Sequence, residues 1–260
     1  MRTPRALSRE VADGVVCVRL GRGPLEVNVY LVRSDAGWAL VDTGWPSSAP
    51  AIRAAMASVA GPGARPSAIL LTHIHPDHAG SALGLARTWG LPLRVHPDEV
   101  VLARGGILPA YANPLDRWAI APVLRLVPRR RLEVMIARDS LEDDVVSFDP
   151  AAAVPGLPDW RCVPVPGHTP GHVAFFRERD RVLLTGDAVL TASPMSVRGL
   201  VSSAPAVYGP PRVSTWDWAA AVASVGVLAG LRPEVLGTGH GRPLCGPAAS
   251  RLLDALAGAL

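Results

Sequence analysis

The stretch THIHPDH, residues 72–78, places four side chains of the types that bind metals within six residues. His73 and His75 are two positions apart, so at the end of an extended strand their side chains project to the same side. Pro76 fits the first position of a helix, and the aspartate and histidine that follow it then fall in the first helical turn. The stretch therefore predicts a metal cluster at a strand-to-helix junction.

Three later turns carry the same kinds of ligand between glycines: PGHTPGH at 166–172, TGD at 185–187 and GTGHG at 237–241. Each follows a predicted strand, and glycine lets the backbone bend tightly there. Imidazoles and carboxylates without cysteine, in loops open to water, suit a catalytic metal site better than a closed structural one. The four segments together predict a catalytic site for zinc or a similar metal.

Short β-branched runs bounded by turn residues alternate with helical patterns along the chain. The predicted strands are Val15–Leu20, Val27–Arg33, Trp38–Asp42, Ala68–Thr72, Leu93–His96, Arg161–Val165, His172–Arg177, Arg181–Thr185 and Glu234–Thr238. The predicted helices are Ser47–Ala60, His78–Thr88, Pro97–Ala103, Asp217–Ala229 and Ala248–Ala257. The two halves are faintly alike, because AGWALVDTG and DRVLLTGDA both place an aspartate beside a glycine at the end of a strand. Two such halves, stacked sheet against sheet, predict an α/β (α+β) fold, a four-layer αββα sandwich.

A chain of 260 residues with about half apolar composition is long enough for one large domain. The segment at about 104–160 departs from the strand–helix alternation, with several prolines and the run Arg129–Arg131, and predicts a partly helical insert. Residues 191–212 are rich in proline, serine and glycine and follow Asp187 closely. This loop is predicted to form a wall or lid of the site.

All 26 basic residues are arginine, which excludes Schiff-base chemistry and a lysine general base. The arginines are dispersed and aromatic residues are few, so nucleic acid is not an expected partner. No apolar run approaches the ~20 residues of a membrane span, and the first residues lack the apolar region of a signal peptide. We expect a cytoplasmic protein with a small-molecule substrate and no membrane partner; a homodimer stays open.

The order HIHPDH, GHTPGH, TGD and GHG, preceded by VDTG, resembles the metallo-β-lactamase superfamily from Asp42 to His240. The resemblance implies two divalent metal ions, most simply zinc, with iron or manganese as alternatives. It assigns the first ion to His73, His75 and His168, the second to Asp77, His78 and His240, and the bridge between them to Asp187. All seven ligands are present, which argues against the metal-free branches of the superfamily.

Other polar residues near these motifs have supporting roles in this interpretation. The resemblance gives Asp42 a position that supports the ligands without binding the metal. His172 follows His168 by four residues, and hydrogen bonding or packing is expected of it. His96 precedes a helical segment and is expected to cap it or to line the pocket. Asp77 is also the predicted catalytic residue, which orients the attacking water and receives its proton.

The motifs predict a hydrolase of an ester, lactone, thioester or related acyl bond, because paired metals activate water at neutral pH, but they do not select the substrate. Glyoxalase II-type thioesterases share the motifs yet typically use lysine for glutathione, and lactonases usually carry a tyrosine soon after the bridging aspartate. Arg198, Tyr208 and Arg212 are the candidate substrate residues. A β-lactam hydrolase and an iron-dependent persulfide dioxygenase are the alternatives, with a metal-binding scaffold third.

Overall fold

Two β-sheets stand at the centre of the computed structural model, which describes residues 7–105, 109–131, 134, 140–141, 143–192 and 204–260. The first sheet has seven strands in chain order: β1 (Leu7–Ala12), β2 (Val15–Leu20), β3 (Val27–Ser34), β4 (Gly37–Val41), β5 (Ala68–Leu70), β6 (Leu93–Val95) and β7 (Val145–Ser147). Strands β1 to β4 pair antiparallel, and β4 to β7 pair parallel.

The second sheet has five strands, in the order β12-β11-β10-β9-β8. They are β8 (Arg161–Pro164), β9 (Val173–Arg177), β10 (Val182–Leu184), β11 (Val235–Gly237) and β12 (Leu244–Cys245). Strands β10 and β11 pair parallel, and the other neighbours pair antiparallel.

Strand β2 shows why the first sheet is buried on both faces. Val16 and Val18 belong to an apolar cluster that includes helical residues, whereas Val15 and Cys17 belong to a cluster shared with the second sheet. Alternate residues of a strand point to opposite faces, so a run that is apolar throughout fits a sheet between two layers.

Helices cover the outer face of each sheet. The first sheet packs against α1 (Ala49–Ala60) and α3 (Ala82–Trp89), with α2 (Pro76–Ala79) between them. After a 3-10 turn at Pro97–Glu99 come α4 (Val100–Ala103) and, past a π-helical turn at Asp116–Ile120, α5 (Ala121–Leu124). The second sheet packs against α6 (Trp218–Gly230) and α7 (Ala248–Ala257). Three apolar clusters thus separate four layers, which confirms the predicted αββα sandwich.

The four segments with predicted ligands all follow strand ends. THIHPDH follows β5, TGD follows β10, GTGHG begins in β11, and PGHTPGH joins β8 to β9. The Thr185 N–H donates to the Gly237 carbonyl at 2.8 Å, which keeps the two parallel strands together where they end. The sandwich therefore presents all four segments at one edge.

The prediction of one continuous helix over His78–Thr88 is wrong, because α2 and α3 are separate helices. Gly80 lies so close to Pro46 and to the Pro76 carbonyl that a side chain there would not fit. The Ser81 hydroxyl donates to the Trp45 carbonyl at 2.6 Å and accepts from two backbone N–H groups at the start of α1. These contacts join the helix break to the preceding loop.

The predicted insert at about 104–160 includes strand β7, which extends the first sheet at its edge beside β6. Helical residues of this segment lie earlier, in a 3-10 turn at Pro109–Tyr111, in the π-helical turn, in α5 and again at residues 129–131. Along the ranges that the structure describes, no helix is both long and apolar enough to cross a membrane.

Candidate metal centre

Three imidazoles from two loops converge at the sheet edge. The ring centroid of His73 lies 4.8 Å from that of His75 and 5.0 Å from that of His168. His75 Nδ1 is 2.9 Å from His168 Nε2. The three residues offer one nitrogen each within 4.8 Å of one another, so they are able to hold one ion together.

Neighbouring hydroxyl groups determine which nitrogen of two of these rings faces the cluster. The Thr72 hydroxyl donates to the Asp42 carboxylate at 2.9 Å and therefore accepts from His73 Nδ1 at 3.0 Å. The Thr215 hydroxyl donates to a backbone carbonyl at 2.8 Å and accepts from His168 Nδ1 at 3.2 Å. Each ring then carries its proton on Nδ1 and leaves the Nε2 lone pair for a metal.

A second group joins two carboxylates and two imidazoles. His240 Nε2 lies 3.2 Å from an Asp77 oxygen and 3.4 Å from an Asp187 oxygen. His78 Nε2 lies 3.3 Å from the other oxygen of Asp187. His240 Nδ1 donates to the Glu26 carbonyl at 2.6 Å, so its Nε2 is also left for a metal. These four residues likewise offer ligand atoms within 4.8 Å of one another.

Asp187 lies between the two groups. The carboxylate oxygen that is 3.4 Å from His240 Nε2 is 3.7 Å from His168 Nε2. The structure thus brings all seven predicted ligands together in two groups; Asp187 belongs to the second group, and one of its oxygens also lies near His168 of the first.

Buried atoms test whether this donor set fits metal ions. His73 Nε2, His78 Nε2 and Asp187 Oδ1 are buried and make no hydrogen bond within the described part of the chain, although the last two atoms lie 3.3 Å apart. An unsatisfied buried polar atom costs about 1–3 kcal/mol, so this group of atoms favours a bound ligand. Nitrogen and carboxylate oxygen without thiolate suit zinc, iron or manganese. The residues fit a divalent metal pair.

The charges of the cluster fit a cation as well. Burial lowers the pKa of His240, but Asp187 and Asp77 outweigh burial and raise this pKa to about 10. Burial raises the pKa of Asp187, but His240 and His78 outweigh it and hold the pKa well below its usual range. The carboxylates therefore stay ionised beside protonated imidazoles, and a metal ion replaces those protons when it binds.

Asp42 forms hydrogen bonds that hold two of the candidate ligands in position. It follows β4 with a left-handed backbone, φ 62°, and its carboxylate accepts from the Thr72 N–H at 2.8 Å and from His78 Nδ1 at 2.9 Å. The first contact holds the threonine that orients His73, and the second leaves His78 Nε2 for a metal. This is the supporting position that the resemblance implies.

His172 lies beside the ligands as well and outside both metal-binding groups. Its Nε2 accepts from the Asp187 backbone N–H at 3.1 Å, and burial lowers its pKa to about 3, so the ring is neutral. His96 is farther away and accepts from the Asp98 N–H at 3.2 Å, which caps the turn that follows. Both placements agree with the supporting roles predicted from sequence.

Two glycines leave room for the cluster. A side-chain carbon on Gly239 would meet the Asp187 carboxylate and the His78 ring. Gly186, at φ 51°, packs against the Thr72 hydroxyl and His172. The ligand loops therefore approach each other as closely as they do because these positions lack side chains.

Glu99 is the functional residue that sequence reasoning missed. Its carboxylate is fully buried and accepts from the Ile74 N–H at 2.8 Å and the Gly171 N–H at 2.9 Å. Ile74 stands between two ligands and Gly171 follows the third, so one side chain joins both ligand loops of the first group. Burial raises the pKa of Glu99 to about 7, against the opposing pull of these N–H donors.

We expect Glu99→Ala to lower the free energy of unfolding by about 2 kcal/mol or more, because it leaves two buried N–H groups unpaired. It should also weaken metal retention about ten-fold, since the loops that carry the ligands lose their common partner. Urea denaturation and metal analysis after dialysis measure the two effects. Asp98→Ala, an exposed neighbour, is the control and should stay within ~0.5 kcal/mol of the wild type. Equal behaviour of the two variants would refute this role.

A cavity of about 560 Å³ opens beside His75 and His168. Besides the two histidines, most of its wall is apolar, with Tyr111, Asn113, Asp116 and Thr169 as polar exceptions. The principal apolar side chains are those of Ile74, Leu83, Leu102, Ile120, Leu141 and Trp216. Several of these residues lie in the segment that was predicted to be an insert, which therefore forms part of the candidate substrate site.

The predicted substrate residues lie elsewhere. Tyr208 is half-buried, pairs through its backbone with Leu190 and does not line this cavity. Arg212 stacks on the Trp218 ring, with its guanidinium carbon 4.2 Å from the ring centroid, and lines a second cleft. Arg198 lies outside the described residues. The wall of the larger cavity comes instead from Pro46, from residues between 74 and 141, from residues 168–170 and from Trp216.

Both the sequence and the fold are similar to those of known proteins. A family model described as the metallo-beta-lactamase superfamily matches residues 22–240. The probable metallo-hydrolase YflN of Bacillus subtilis (strain 168) is 34% identical over 223 residues, 84% of this chain and 82% of that protein. The hydroxyacylglutathione hydrolase of Anaeromyxobacter dehalogenans (strain 2CP-C) is 32% identical over 163 residues, 63% of this chain and 46% of that protein.

Among solved structures, TTHA1623 in a di-iron-bound form has a similar fold, with a TM-score of 0.57. It is 24% identical, and the match covers 90% of this chain and 97% of that one. At this identity the likeness concerns the fold alone.

Proposed function

Because this chain belongs to the metallo-β-lactamase superfamily, we propose that it is a metal-dependent hydrolase that cleaves an ester, lactone or thioester in a small acyl substrate. The single observation that carries the proposal is the convergence of seven ligand side chains in two groups that share Asp187. Among acyl bonds, the hydroxyacylglutathione hydrolase relative favours a thioester.

In the proposed site, His73, His75 and His168 hold one divalent ion, and Asp77, His78 and His240 hold the other, with Asp187 shared. We propose zinc, which this nitrogen and oxygen donor set suits; the di-iron form of TTHA1623 makes iron the alternative to test. When bound, such a pair supplies Lewis acidity and lowers the pKa of a water toward ~7.

Asp77 is the proposed catalytic residue. Its side chain is 20% exposed, whereas that of Asp187 is 5% exposed, so it is the carboxylate of the cluster that meets solvent. Burial raises its pKa, but His78 and His240 outweigh burial and lower it, so the carboxylate is ionised at neutral pH. It is therefore able to orient an attacking water and accept its proton.

The larger cavity supports a small apolar acyl group. It begins at His75 and His168, so a carbonyl carbon near the first metal group places its acyl chain against Ile74 and Leu83. Asp116 is the carboxylate in the lining of this cavity, and it disfavours an acyl chain that itself carries a negative charge.

A panel of neutral esters, lactones, thioesters and β-lactams tests this function with the wild type and Asp77→Asn. We expect hydrolysis of at least one acyl class and a fall of about 10²–10⁴-fold in kcat for the variant, the usual size of a general-base contribution. Full activity of Asp77→Asn would refute the role of this residue. Inactivity of the metal-loaded wild type on the whole panel would refute the hydrolase, and oxygen uptake with one iron per chain would favour the dioxygenase.

A further inference from the structure

A second cleft of about 380 Å³ lies on the far side of Trp216 from the acyl cavity. Its wall is aromatic and basic, with Arg117, Trp118, Arg212, Trp216 and Trp218 as the large side chains. Three of the chain's seven tryptophans therefore meet at one surface depression. Thr215, which also lines the cleft, holds the Nδ1 of His168, so the cleft begins next to the metal centre.

Trp216 forms a fixed partition between the two cavities. Its indole N–H donates to the Ala110 carbonyl at 2.9 Å, and the Tyr111 ring meets it edge to face with centroids 5.4 Å apart. A substrate that lies across this partition reaches both cavities at once, with its scissile bond near His168.

The cleft carries positive charge from two arginines. Within the described ranges, neither Arg117 nor Arg212 has an ion-pair partner. The nearest acidic residues in sequence are engaged elsewhere: Asp116 lines the acyl cavity, and Asp217 accepts from the Ala220 N–H at the start of α6. The lining of the acyl cavity thus includes a carboxylate, whereas that of this cleft includes two guanidinium groups.

Arg212 is arranged to receive an anion. Its guanidinium carbon lies 4.2 Å from the centroid of the Trp218 ring, a cation–π contact that restricts the side chain. A guanidinium group offers several N–H donors in a fork that matches a carboxylate or phosphate. Trp118, 81% exposed, adds an uncovered aromatic face of the kind that a ligand covers.

We propose that this cleft binds the anionic, leaving-group end of the substrate, a carboxylate or phosphate on a flat or apolar stem, while the acyl end occupies the larger cavity. The proposal rests on the proposed hydrolase function for its place in catalysis. The stem packs on the tryptophans, and Arg117 and Arg212 bind the charge. Hydrolysis adds water across the acyl bond, so the acyl end leaves the larger cavity as a carboxylate and the other product leaves the cleft as an alcohol or thiol that keeps its own anionic group.

Two thioesters that share one acyl group test the cleft in catalysis. S-butanoyl-3-mercaptopropionate carries a carboxylate on the leaving group, and S-butanoyl-2-mercaptoethanol does not. The rate of both reactions is measured from the thiol that is released. We expect the wild type to prefer the anionic thioester, and Arg117→Gln and Arg212→Gln each to lower the ratio of kcat/KM values about ten-fold, as loss of a charge-assisted hydrogen bond does. Arg53→Gln, an exposed change on α1 that lines neither cavity, should leave the ratio unchanged.

A binding measurement separates the cleft from the hydrolase. Calorimetric titration of the metal-loaded protein with naphthalene-2-sulfonate, against neutral naphthalene-2-sulfonamide, should show selective binding of the sulfonate that either arginine variant weakens about ten-fold. If the sulfonate binds selectively but no thioester is cleaved, the proposed hydrolase activity is refuted and the proposed anion-binding cleft is supported. If thioesters are cleaved but neither arginine changes the anion preference or sulfonate binding, the anionic subsite is refuted and the hydrolase stands.

Discussion

Asp187→Ala is expected to lower kcat/KM by at least about 10³-fold, a loss of roughly 4 kcal/mol in transition-state stabilisation. One oxygen of this carboxylate approaches both groups of ligands, 3.7 Å from His168 Nε2 and 3.4 Å from His240 Nε2. The substitution would remove a ligand from both of the proposed ions at once. It would also remove the negative charge of the carboxylate that lies between His78 and His240. Metal content should fall from about two ions per chain to one or fewer.

Steady-state kinetics and elemental analysis of the purified variant measure these two losses. Asp254→Ala, an exposed aspartate on α7, is the matched control and should keep both metal and activity. Circular dichroism should show the same secondary structure in all three proteins. An Asp187→Ala protein with two metal ions and the wild-type rate would contradict the shared position of this carboxylate.

Metal removal is expected to abolish hydrolysis and to lower Tm together. The ligands come from loops at residues 73–78, 168, 187 and 240, which meet only in the folded chain, so metal binds the native state and stabilises it by mass action. Metal at about 1,000 times its Kd contributes about 4 kcal/mol. In a domain of this size that corresponds to a Tm shift of roughly 8–16 °C.

Thermal denaturation before and after dialysis against a chelator measures the shift, and the same samples give the activity. Added zinc should restore Tm and rate in parallel, whereas magnesium, which prefers oxygen ligands, should restore neither. Unchanged Tm and unchanged rate after complete metal removal would rule out a metal centre in these loops.

Sequence alone predicted the layers and the ligands because both signals are local. The ligands lie in four short motifs, and three of the strands that precede them, β5, β10 and β11, are short apolar runs that are buried throughout. The strands that the sequence did not predict, β1, β7 and β12, lie at the edges of the two sheets. The residues of β1 are mostly exposed, β12 has two residues, and β7 occurs within a segment predicted to be an insert, so no apolar run marks them.

The supporting contacts of Glu99 and Asn28 were not predictable, because they join residues far apart in sequence. Glu99 accepts from backbone groups 25 and 72 positions away. The Asn28 side chain donates to the carbonyls of Thr238 and Gly241, 210 and 213 positions away, and holds the loop that carries His240. Neither residue belongs to a motif. The same reason explains why Trp216, the partition between the two cavities, was not a candidate.

The most direct test of the metal-dependent hydrolase is the number of metal ions per chain, measured together with the rate of acyl hydrolysis as metal is added back to the chelated protein. We predict no activity without metal and a rate that rises until about two divalent ions are bound per chain. A protein that hydrolyses its substrate at full rate with no bound metal, or that binds none under these conditions, would contradict the account.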